Sequence, residues 1–359
     1  MNVVLDGLLL FLNNGQIGNY SKSIVDNLIK YSSLNISIIK DYEIDSNIYE
    51  ENSVELLLDR KNNNFSNLSN FLENSGCNIY HCMNNGFSIP NGCDFNYILT
   101  INNLLPIYHE NMCHNDYTSS FFSKLPYGVL NSSYIVCPSI STKEDFLESF
   151  SVDEEKIFIN YGVISSFYNS CDKLLSSAYI KSKFDIENKF IIFSGDFHER
   201  KNLDKCIILF SKLRKYIPNL KFIINSNGYS NQKYMNYLKN ISKQVGVLDH
   251  VIYMCNLSIM DKANIFNSAI LFIDLSIYEN VNLDIVEGFS CKTPVLCSDI
   301  SIYKEYFGDF VFYYNDIFDC VAILNFIKNY KSLDSKIVLD KFSFNSSLRS
   351  SLNIYNKFI

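Results

Sequence analysis

The chain has 359 residues, which is too long for one compact core and predicts two domains of about 150–200 residues each. Apolar residues make up 47% of it, which excludes a disordered chain, and a formal net charge of −7 argues against general nucleic-acid binding. Residues 1–175 carry 9 basic and 20 acidic side chains, whereas the remainder carries 22 and 18. An anionic ligand is therefore expected on the second half.

Short apolar, β-branched runs alternate with longer amphipathic stretches along the first half. The predicted strands are Asn2–Leu5, Ile36–Ile39, Ile79–His81, Tyr97–Ile101, Tyr134–Pro138 and Ile157–Asn160. Helices are predicted between them, for example over Tyr20–Tyr31 and Lys143–Phe150. Such alternation is typical of a parallel sheet with helices on both faces.

The second half repeats this pattern after a polar, weakly patterned stretch, Ile164–Asn188, which we interpret as a link between two Rossmann-like domains. Its predicted strands are Phe190–Ser194, Lys221–Asn225, His250–Met254, Leu271–Leu275 and Pro294–Ser298. Its predicted helices include Leu203–Tyr216, Gln232–Val245, Met260–Ser268 and Leu283–Ser290. Ligands of such sheets bind outside the carboxyl ends of the strands, so the motifs of interest are those at strand ends.

Cysteine usage and the N-terminal sequence predict the cellular compartment of the protein. The eleven cysteines are scattered, and several, such as Cys137, Cys206 and Cys297, lie inside apolar runs, which predicts reduced core thiols. The chain begins with a strand-like run, Val3–Asp6, without a basic leader, and no apolar stretch approaches the roughly 20 residues that span a bilayer. We expect a cytoplasmic protein, and peripheral membrane contact stays open.

One motif follows the predicted strand Leu271–Leu275 and opens a helix. Glu279 lies at the strand end, Asn282 and Leu283 stand at the helix start, and Glu287 lies about one turn into the helix. A helix N-terminus offers unpaired N–H groups to phosphate or sugar oxygens, and a carboxylate can accept two hydrogen bonds from a ribose diol. From these residues alone, a charged helix start with a solvated glutamate remains the alternative.

Two glycine-containing turns also follow predicted strands. Gly195 precedes the adjacent cations Arg200 and Lys201, which could neutralise a pyrophosphate leaving group, although a solvated helix cap is the alternative. Gly15 and Gly18 lie in a turn that lets the backbone approach a ligand closely. No paired acidic motif suggests a metal site, since Asp274 follows a strand without a second aspartate beside it.

Together these motifs resemble those of the retaining family 4 glycosyltransferases (glycosyl transferases group 1). Glu279 and Glu287 stand at the spacing of the family's E-x7-E motif and are followed by Thr293-Pro294-Val295. Two further segments resemble family segments in the same order along the chain, namely the loop from Gly15 and the run Arg200-Lys201-Asn202-Leu203. The resemblance implies an α/β chain of the GT-B fold, with two Rossmann-like domains facing each other across a cleft. It implies an acceptor-side domain over 1–165, a nucleotide-sugar domain over 166–340 and a C-terminal helix, 341–359, that crosses back.

The resemblance also implies roles. Glu279 would contact the donor sugar or its phosphate region, Glu287 the ribose, and Arg200 and Lys201 the diphosphate of a UDP- or GDP-type donor. The sugar would pass to a glycan, lipid-linked or protein-linked acceptor with retention of configuration, without a metal or another cofactor.

Three departures from the family pattern bear on activity. Asn102 replaces the usual histidine, Asp196 replaces an arginine near the expected phosphates, and Asn280-Val281-Asn282 replaces Gly-Phe-Gly. Asn102 and His81 are the candidate acceptor or sugar contacts. The departures keep a second interpretation open, a non-catalytic subunit that binds a glycan or a partner transferase. A GT-B epimerase or phosphorylase is a third, and oligomerisation stays open.

Overall fold

The structure is a computed structural model that describes residues 1–11, 15–41, 49–56, 65–92, 95–187, 189–226, 231–314, 319–330 and 336–359. It divides into two compact units. The N-terminal unit comprises Met1–Val163 together with Lys341–Ile359, and the C-terminal unit comprises Ile164–Asp340. Each unit contains one sheet with its own helices.

The N-terminal unit is built on a sheet of seven parallel strands. They are β1 (Asn2–Asp6), β2 (Asn35–Asp41), β3 (Ser53–Leu56), β4 (Ile79–Cys82), β5 (Tyr97–Thr100), β6 (Ser132–Cys137) and β7 (Ile157–Ile159). Their order is β3-β2-β1-β4-β5-β6-β7, so the winding direction reverses between β1 and β4. Strands β4 and β5 are buried throughout, as expected for the centre of a sheet covered on both faces.

Within the described residues, six α-helices lie between these strands. They are α1 (Leu8–Phe11), α2 (Gly15–Tyr31), α3 (Ser66–Asn74), α4 (Leu105–Tyr108), α5 (Asn115–Asn131) and α6 (Ile140–Ser149). The buried face of α2 contains Tyr20, Ile24 and Leu28, which recur at intervals of four residues. The hydroxyl of Tyr20 donates to the carbonyl of Asn160 at 2.6 Å, so this helix is fixed to the chain that follows β7.

The C-terminal unit contains a sheet of six parallel strands. They are β8 (Phe190–Ser194), β9 (Lys221–Ser226), β10 (Val251–Cys255), β11 (Leu271–Asp274), β12 (Val295–Ser298) and β13 (Phe312–Tyr314). The order is β10-β9-β8-β11-β12-β13, which is the Rossmann order with its reversal between β8 and β11. The helices are α7 (Lys173–Phe184), α8 (Leu203–Leu213), α9 (Gln232–Gln244), α10 (Ile259–Ser268), α11 (Leu283–Ser290), α12 (Ser301–Phe307) and α13 (Cys320–Asn329).

The last helices return the chain to the N-terminal unit. After α14 (Lys336–Lys341), α15 (Phe344–Tyr355) packs against α2, where Asn27 Nδ2 donates to the Phe344 carbonyl at 2.9 Å. Asn160 Nδ2 donates to Ser351 Oγ at 3.0 Å on the same helix. The predicted return of the C-terminal helix to the N-terminal domain is confirmed.

Sequence and structure differ in four places. The edge strands β3 and β13 were not predicted. The stretch interpreted as a link contains α7, which is capped by Asp172 and packs against α10, so this part of the prediction was wrong. The turn expected at Gly15–Gly18 is the first turn of α2, with Gly15 at a φ of 57°.

The described cysteines carry free thiols, and most are buried, Cys137, Cys206 and Cys297 among them; Cys93 lies outside the described residues. No helix formed by the described part of the chain is long and apolar enough to cross a membrane.

Candidate functional site

The candidate site lies at the carboxyl ends of β8 and β11, on either side of the point where the C-terminal sheet reverses its winding. Side chains that follow two neighbouring parallel strands meet at one edge of the sheet, which is where open α/β sheets bind ligands. After β8 come Gly195 and a short 3₁₀ turn, Glu199–Lys201. After β11 come Ser276, Glu279 and the start of α11.

Lys201 is the centre of the first cluster. Its side chain is wholly buried, and Nζ lies 2.5 Å from Glu279 Oε1 and 3.7 Å from Asp274 Oδ2. The hydroxyl of Ser276 donates to both carboxylates, to Glu279 Oε1 at 3.1 Å. A buried ammonium needs such pairing because burial removes its hydration. The structure therefore brings the predicted residues Lys201 and Glu279 into direct contact.

Arg200 extends the cluster towards solvent. One guanidinium nitrogen donates to Glu279 and, at 3.4 Å, to the Tyr278 carbonyl; the other donates to Asp196 Oδ2 at 3.0 Å. Burial disfavours the charged form, but the facing Glu279 and Asp196 carboxylates outweigh it and raise the pKa of Arg200. Two cations thus face three carboxylates, because Asp274 also borders Lys201. Both predicted phosphate-binding cations are therefore paired with carboxylates of the chain itself.

Asn282 caps the helix that carries the second glutamate. Its Oδ1 accepts from Ile285 N at 3.4 Å, while Nδ2 donates to Asp274 Oδ2 at 2.8 Å and to the Tyr303 hydroxyl at 2.9 Å. The side chain is fully buried. Asn282 therefore ties the start of α11 to the end of β11. Leu283, the first residue of α11, is also buried.

Glu287 belongs to a second cluster, centred on Lys262 of α10. Lys262 Nζ lies 2.7 Å from Glu287 Oε2 and 2.6 Å from Asp284 Oδ1. Asp284 Oδ2 accepts from Ser194 Oγ at 3.2 Å, so the cluster reaches the end of β8. Burial raises the pKa of Glu287 to about 7, the Asp284 charge adds to this, and Lys262 opposes it.

Sequence reasoning missed Lys262 and Asp284. Lys262 stands in the buried stripe of α10, beside Ala263, Ile265 and Phe266. A lysine within a buried stripe is unusual unless it is paired, and that was the available signal. Its partners Asp284 and Glu287 lie 22 and 25 residues further along the chain. Helix and strand periodicity relates only residues within one element, so the sequence pattern did not indicate these pairs.

The candidates of the N-terminal unit differ in their surroundings. Both His81 ring nitrogens are engaged, with the Tyr355 hydroxyl at 2.9 Å and Thr100 Oγ1 at 2.7 Å, so His81 joins the sheet to α15. Burial lowers its pKa to about 3. Asn102 lines a pocket of about 440 Å³ at the carboxyl ends of the central strands. Gly18 is buried within α2.

No three histidine, cysteine, aspartate or glutamate side chains of the described ranges gather around a position that could hold a metal ion. The strand-end carboxylates face lysine or arginine instead. The chain is thus an α/β protein of two Rossmann-like units. In the second unit, two clusters of paired charges lie where the strand order of the sheet reverses.

Comparison with known proteins shows which proteins the chain resembles. Residues 178–318, which contain both clusters, match the family described as Glycosyl transferases group 1. The likeness expected from the motifs is thus confirmed, whereas the retaining family 4 subclass stays a prediction. The structure of HepE from Anabaena in complex with UDP and glucose is 11% identical, covers 99% of both chains and has a TM-score of 0.75. The chain therefore has the GT-B fold.

Two curated relatives match parts of the chain. An alpha-monoglucosyldiacylglycerol synthase of Streptococcus pneumoniae is 24% identical over 45% of this chain, and the O-antigen chain mannosyltransferase RfbU of Salmonella typhimurium is 23% identical over 61% of it. The matches span 36% and 57% of the lengths of these relatives.

Proposed function

We propose that the protein is a glycosyltransferase that moves a sugar from a nucleoside-diphosphate donor to an acceptor hydroxyl with retention of configuration. The observation that carries the proposal is the meeting of Arg200, Lys201 and Glu279 at the β8–β11 switch point, with Glu287 on the adjoining helix, within the segment that matches the family. Such a site combines fixed cations for a leaving phosphate with carboxylates for sugar hydroxyls.

In the proposed reaction the acceptor oxygen forms a bond to the anomeric carbon on the face that the leaving group departs from. The bond between that carbon and the β-phosphate oxygen breaks, and the diphosphate leaves with the electron pair. The acceptor proton passes to the departing phosphate oxygen, so no enzyme base is required. We propose that no metal ion or other cofactor takes part, and that Arg200 and Lys201 supply the positive charge.

Donor binding requires an exchange of partners around Arg200. Asp196 is the most exposed carboxylate of the cluster, with a third of its side chain accessible, whereas Glu279 is buried. Asp196 is therefore the partner that a phosphate would displace. Glu279 would then orient the donor sugar, and Glu287 would accept from the ribose hydroxyls while Lys262 holds it in place. Asn282 and Leu283 would present the first amides of α11 to the donor, and Gly195 would leave room for it.

The nucleotide and the acceptor are proposed from the relatives. HepE is described with UDP, which supports a UDP-type donor, with GDP as the second choice. One relative is named for a glycolipid and the other for a polysaccharide chain, which supports a lipid-linked or glycan acceptor, with a protein-linked one third. The free thiols support a reducing compartment, the cytoplasm.

A non-catalytic subunit is the second candidate, and the excess of carboxylates over cations around Lys201 favours it. Titration calorimetry with UDP, GDP, dTDP, CMP and their common sugars separates the two. An enzyme binds one nucleotide, and Glu287→Ala abolishes that binding. Glu187→Ala, an exposed glutamate of the same unit, is the matched control and leaves it unchanged. If no nucleotide binds the wild type at millimolar concentration, the enzyme proposal fails.

A further inference from the structure

Lys262 is held from several sides, so the chain itself fixes the position of its ammonium group. Nζ lies 2.6 Å from Asp284 Oδ1 and 2.7 Å from Glu287 Oε2. It also lies over the rings of Tyr168 and Phe266, at 5.4 and 5.6 Å from their centroids. The side chain is buried, and a buried ammonium with four such partners has little freedom to move.

Asp284 is the permanent counter-ion of Lys262. Both of its carboxylate oxygens are engaged, since Oδ1 accepts from Lys262 and Oδ2 accepts from Ser194 Oγ at 3.2 Å. Burial disfavours the charged form, but the facing Lys262 ammonium outweighs it, Lys201 adds to the attraction, and the pKa of Asp284 is lowered. Asp284 is therefore ionised throughout the neutral range.

Glu287 is the second carboxylate that Lys262 holds, and its charge is less secure. Burial raises the pKa of Glu287 to about 7, the charge of Asp284 adds to this, and Lys262 opposes it. Two carboxylates that share one ammonium repel each other, so the carboxylate with fewer partners takes up a proton first. Glu287 is thus the member of the cluster that gains or loses a proton near neutral pH.

The other titratable groups around Glu287 are uncharged near neutral pH. Tyr168 interacts with it from the segment before α7, and burial raises the pKa of the Tyr168 hydroxyl. Cys291 follows α11, and burial raises the pKa of its thiol to about 12. Within the described ranges, Lys262 and Asp284 are therefore the charged neighbours that act on Glu287.

We propose that Lys262 and Asp284 are positioning residues that make the donor site selective for ribonucleotides and dependent on pH. Lys262 holds the Glu287 carboxylate where it accepts from the ribose hydroxyls, and Asp284 holds Lys262. The two act on Glu287 with opposite sign, because Lys262 favours its charged form and Asp284 disfavours it. The ribose contact rests on the proposed function, whereas the opposite effects on Glu287 rest on the cluster alone.

The first test measures the ionisation of Glu287 in the full chain, so it does not depend on nucleotide binding. Glutamate carboxyl groups are labelled with ¹³C, the Glu287 signal is assigned by its loss in Glu287→Gln, and its shift is followed by NMR across neutral pH. Asp284→Asn keeps the size of the side chain and removes its charge, and should lower the titration midpoint by about 1–3 pH units. Lys262→Met should raise the midpoint by about 1–3 units.

The second test compares binding of UDP with binding of 2′-deoxy-UDP, which lacks one ribose hydroxyl. Above the titration midpoint, wild type should prefer UDP by about tenfold, since a hydrogen bond to a charged group is lost. Lys262→Met should lose most of this preference. At pH 6, Asp284→Asn should bind UDP about fivefold more tightly than wild type, because a larger fraction of Glu287 is ionised. Misfolding cannot produce such a gain.

Lys181→Met is the control for the loss of a lysine. Lys181 pairs with Glu187 at the surface of the same unit. This variant should change neither the titration midpoint of Glu287 nor the preference for UDP over its 2′-deoxy form. If Lys262→Met does not fold, the lowered midpoint and the gain at pH 6 in Asp284→Asn still decide the proposal.

The outcomes separate this inference from the proposed function. A midpoint that does not fall in Asp284→Asn, or that moves in the same direction in both variants, overturns the opposite roles of the pair. Equal binding of UDP and 2′-deoxy-UDP to wild type overturns the ribose contact. If the midpoints shift as expected but no nucleotide binds, the effects on Glu287 stand and the proposed function fails with the ribose contact. If UDP binds and Glu287→Ala abolishes this, yet neither variant moves the midpoint, the proposed function stands and this inference fails.

Discussion

Replacing Lys201 by methionine would remove the ammonium group that lies between two buried carboxylates. Glu279 and Asp274 face it at 2.5 and 3.7 Å, and the lysine side chain has no exposure to solvent. Removing one member of a buried ion pair costs about 3–5 kcal/mol, because the remaining charge loses its compensation. Methionine fills a similar volume, so the change isolates the charge.

The structure favours the lower end of that range. Glu279 keeps its contact with Arg200, and Asp274 keeps the hydrogen bond from Asn282 at 2.8 Å. We therefore expect a loss of about 3 kcal/mol. For a unit of the length of Ile164–Asp340, each kcal/mol shifts the melting temperature by about 2–4 °C, so the expected decrease is about 6–12 °C.

The assay is differential scanning calorimetry of the full chain, in which two units can give separate transitions. Lys181→Met is the matched control, since Lys181 pairs with Glu187 at the surface of the same unit, where solvent screens the pair and its loss changes stability little. Glu279→Gln combined with Lys201→Met should recover part of the loss, because the two residues are coupled. A decrease no larger than that of the control would refute the buried ion-pair network.

Further predictions concern the same unit. The pKa of Glu287 is raised to about 7, so we expect UDP affinity to fall as the pH drops through that value and the carboxylate is protonated. Calorimetric titration with UDP from pH 5.5 to 8.5 measures this fall. The variant Glu287→Gln should show no such step. The same shift means that the stability contributed by Glu287 is complete below its ordinary pKa and is lost as the pH rises through about 7. Asp196→Asn should raise UDP affinity about two- to fivefold at low salt, because Arg200 loses a competing carboxylate; an unchanged or lower affinity contradicts the proposed exchange. Gly288→Ala should destabilise the unit by about 1–3 kcal/mol, because a Cβ would meet Phe272 at 2.5 Å, and an unchanged melting temperature would show that the ring moves away freely.

The elements that were predicted are those whose burial is visible in the sequence. Strand β8 was predicted with its observed bounds, Phe190–Ser194, because its residues form a continuous apolar run between turns. The edge strand β3 is four residues long, partly exposed and interrupted by Ser53 and Glu55, so it lacks such a run. The edge strand β13 lies in an aromatic run, Phe310–Tyr314, and is only three residues long, so here the sequence carried a signal that was not used. Helix α7 buries only Ser176 and Ile180, which leaves almost no apolar stripe in its sequence. The motif glutamates were found by spacing and resemblance, whereas Lys262 required the fold.

The distribution of charge within the site separates the two functional interpretations. The C-terminal half has more basic than acidic residues, and this composition predicted an anion site there. At the switch point, however, three cations are paired with five carboxylates. The surplus of positive charge therefore lies elsewhere on this half. Partial protonation of Glu287 near neutral pH reduces the deficit by less than one charge. At the switch point a diphosphate gains a cationic partner only where a cation exchanges a carboxylate for a phosphate, and Arg200 is the cation with an exposed partner, Asp196. A transferase requires that exchange, whereas a non-catalytic subunit keeps the Arg200–Asp196 pair closed in the presence of nucleotide.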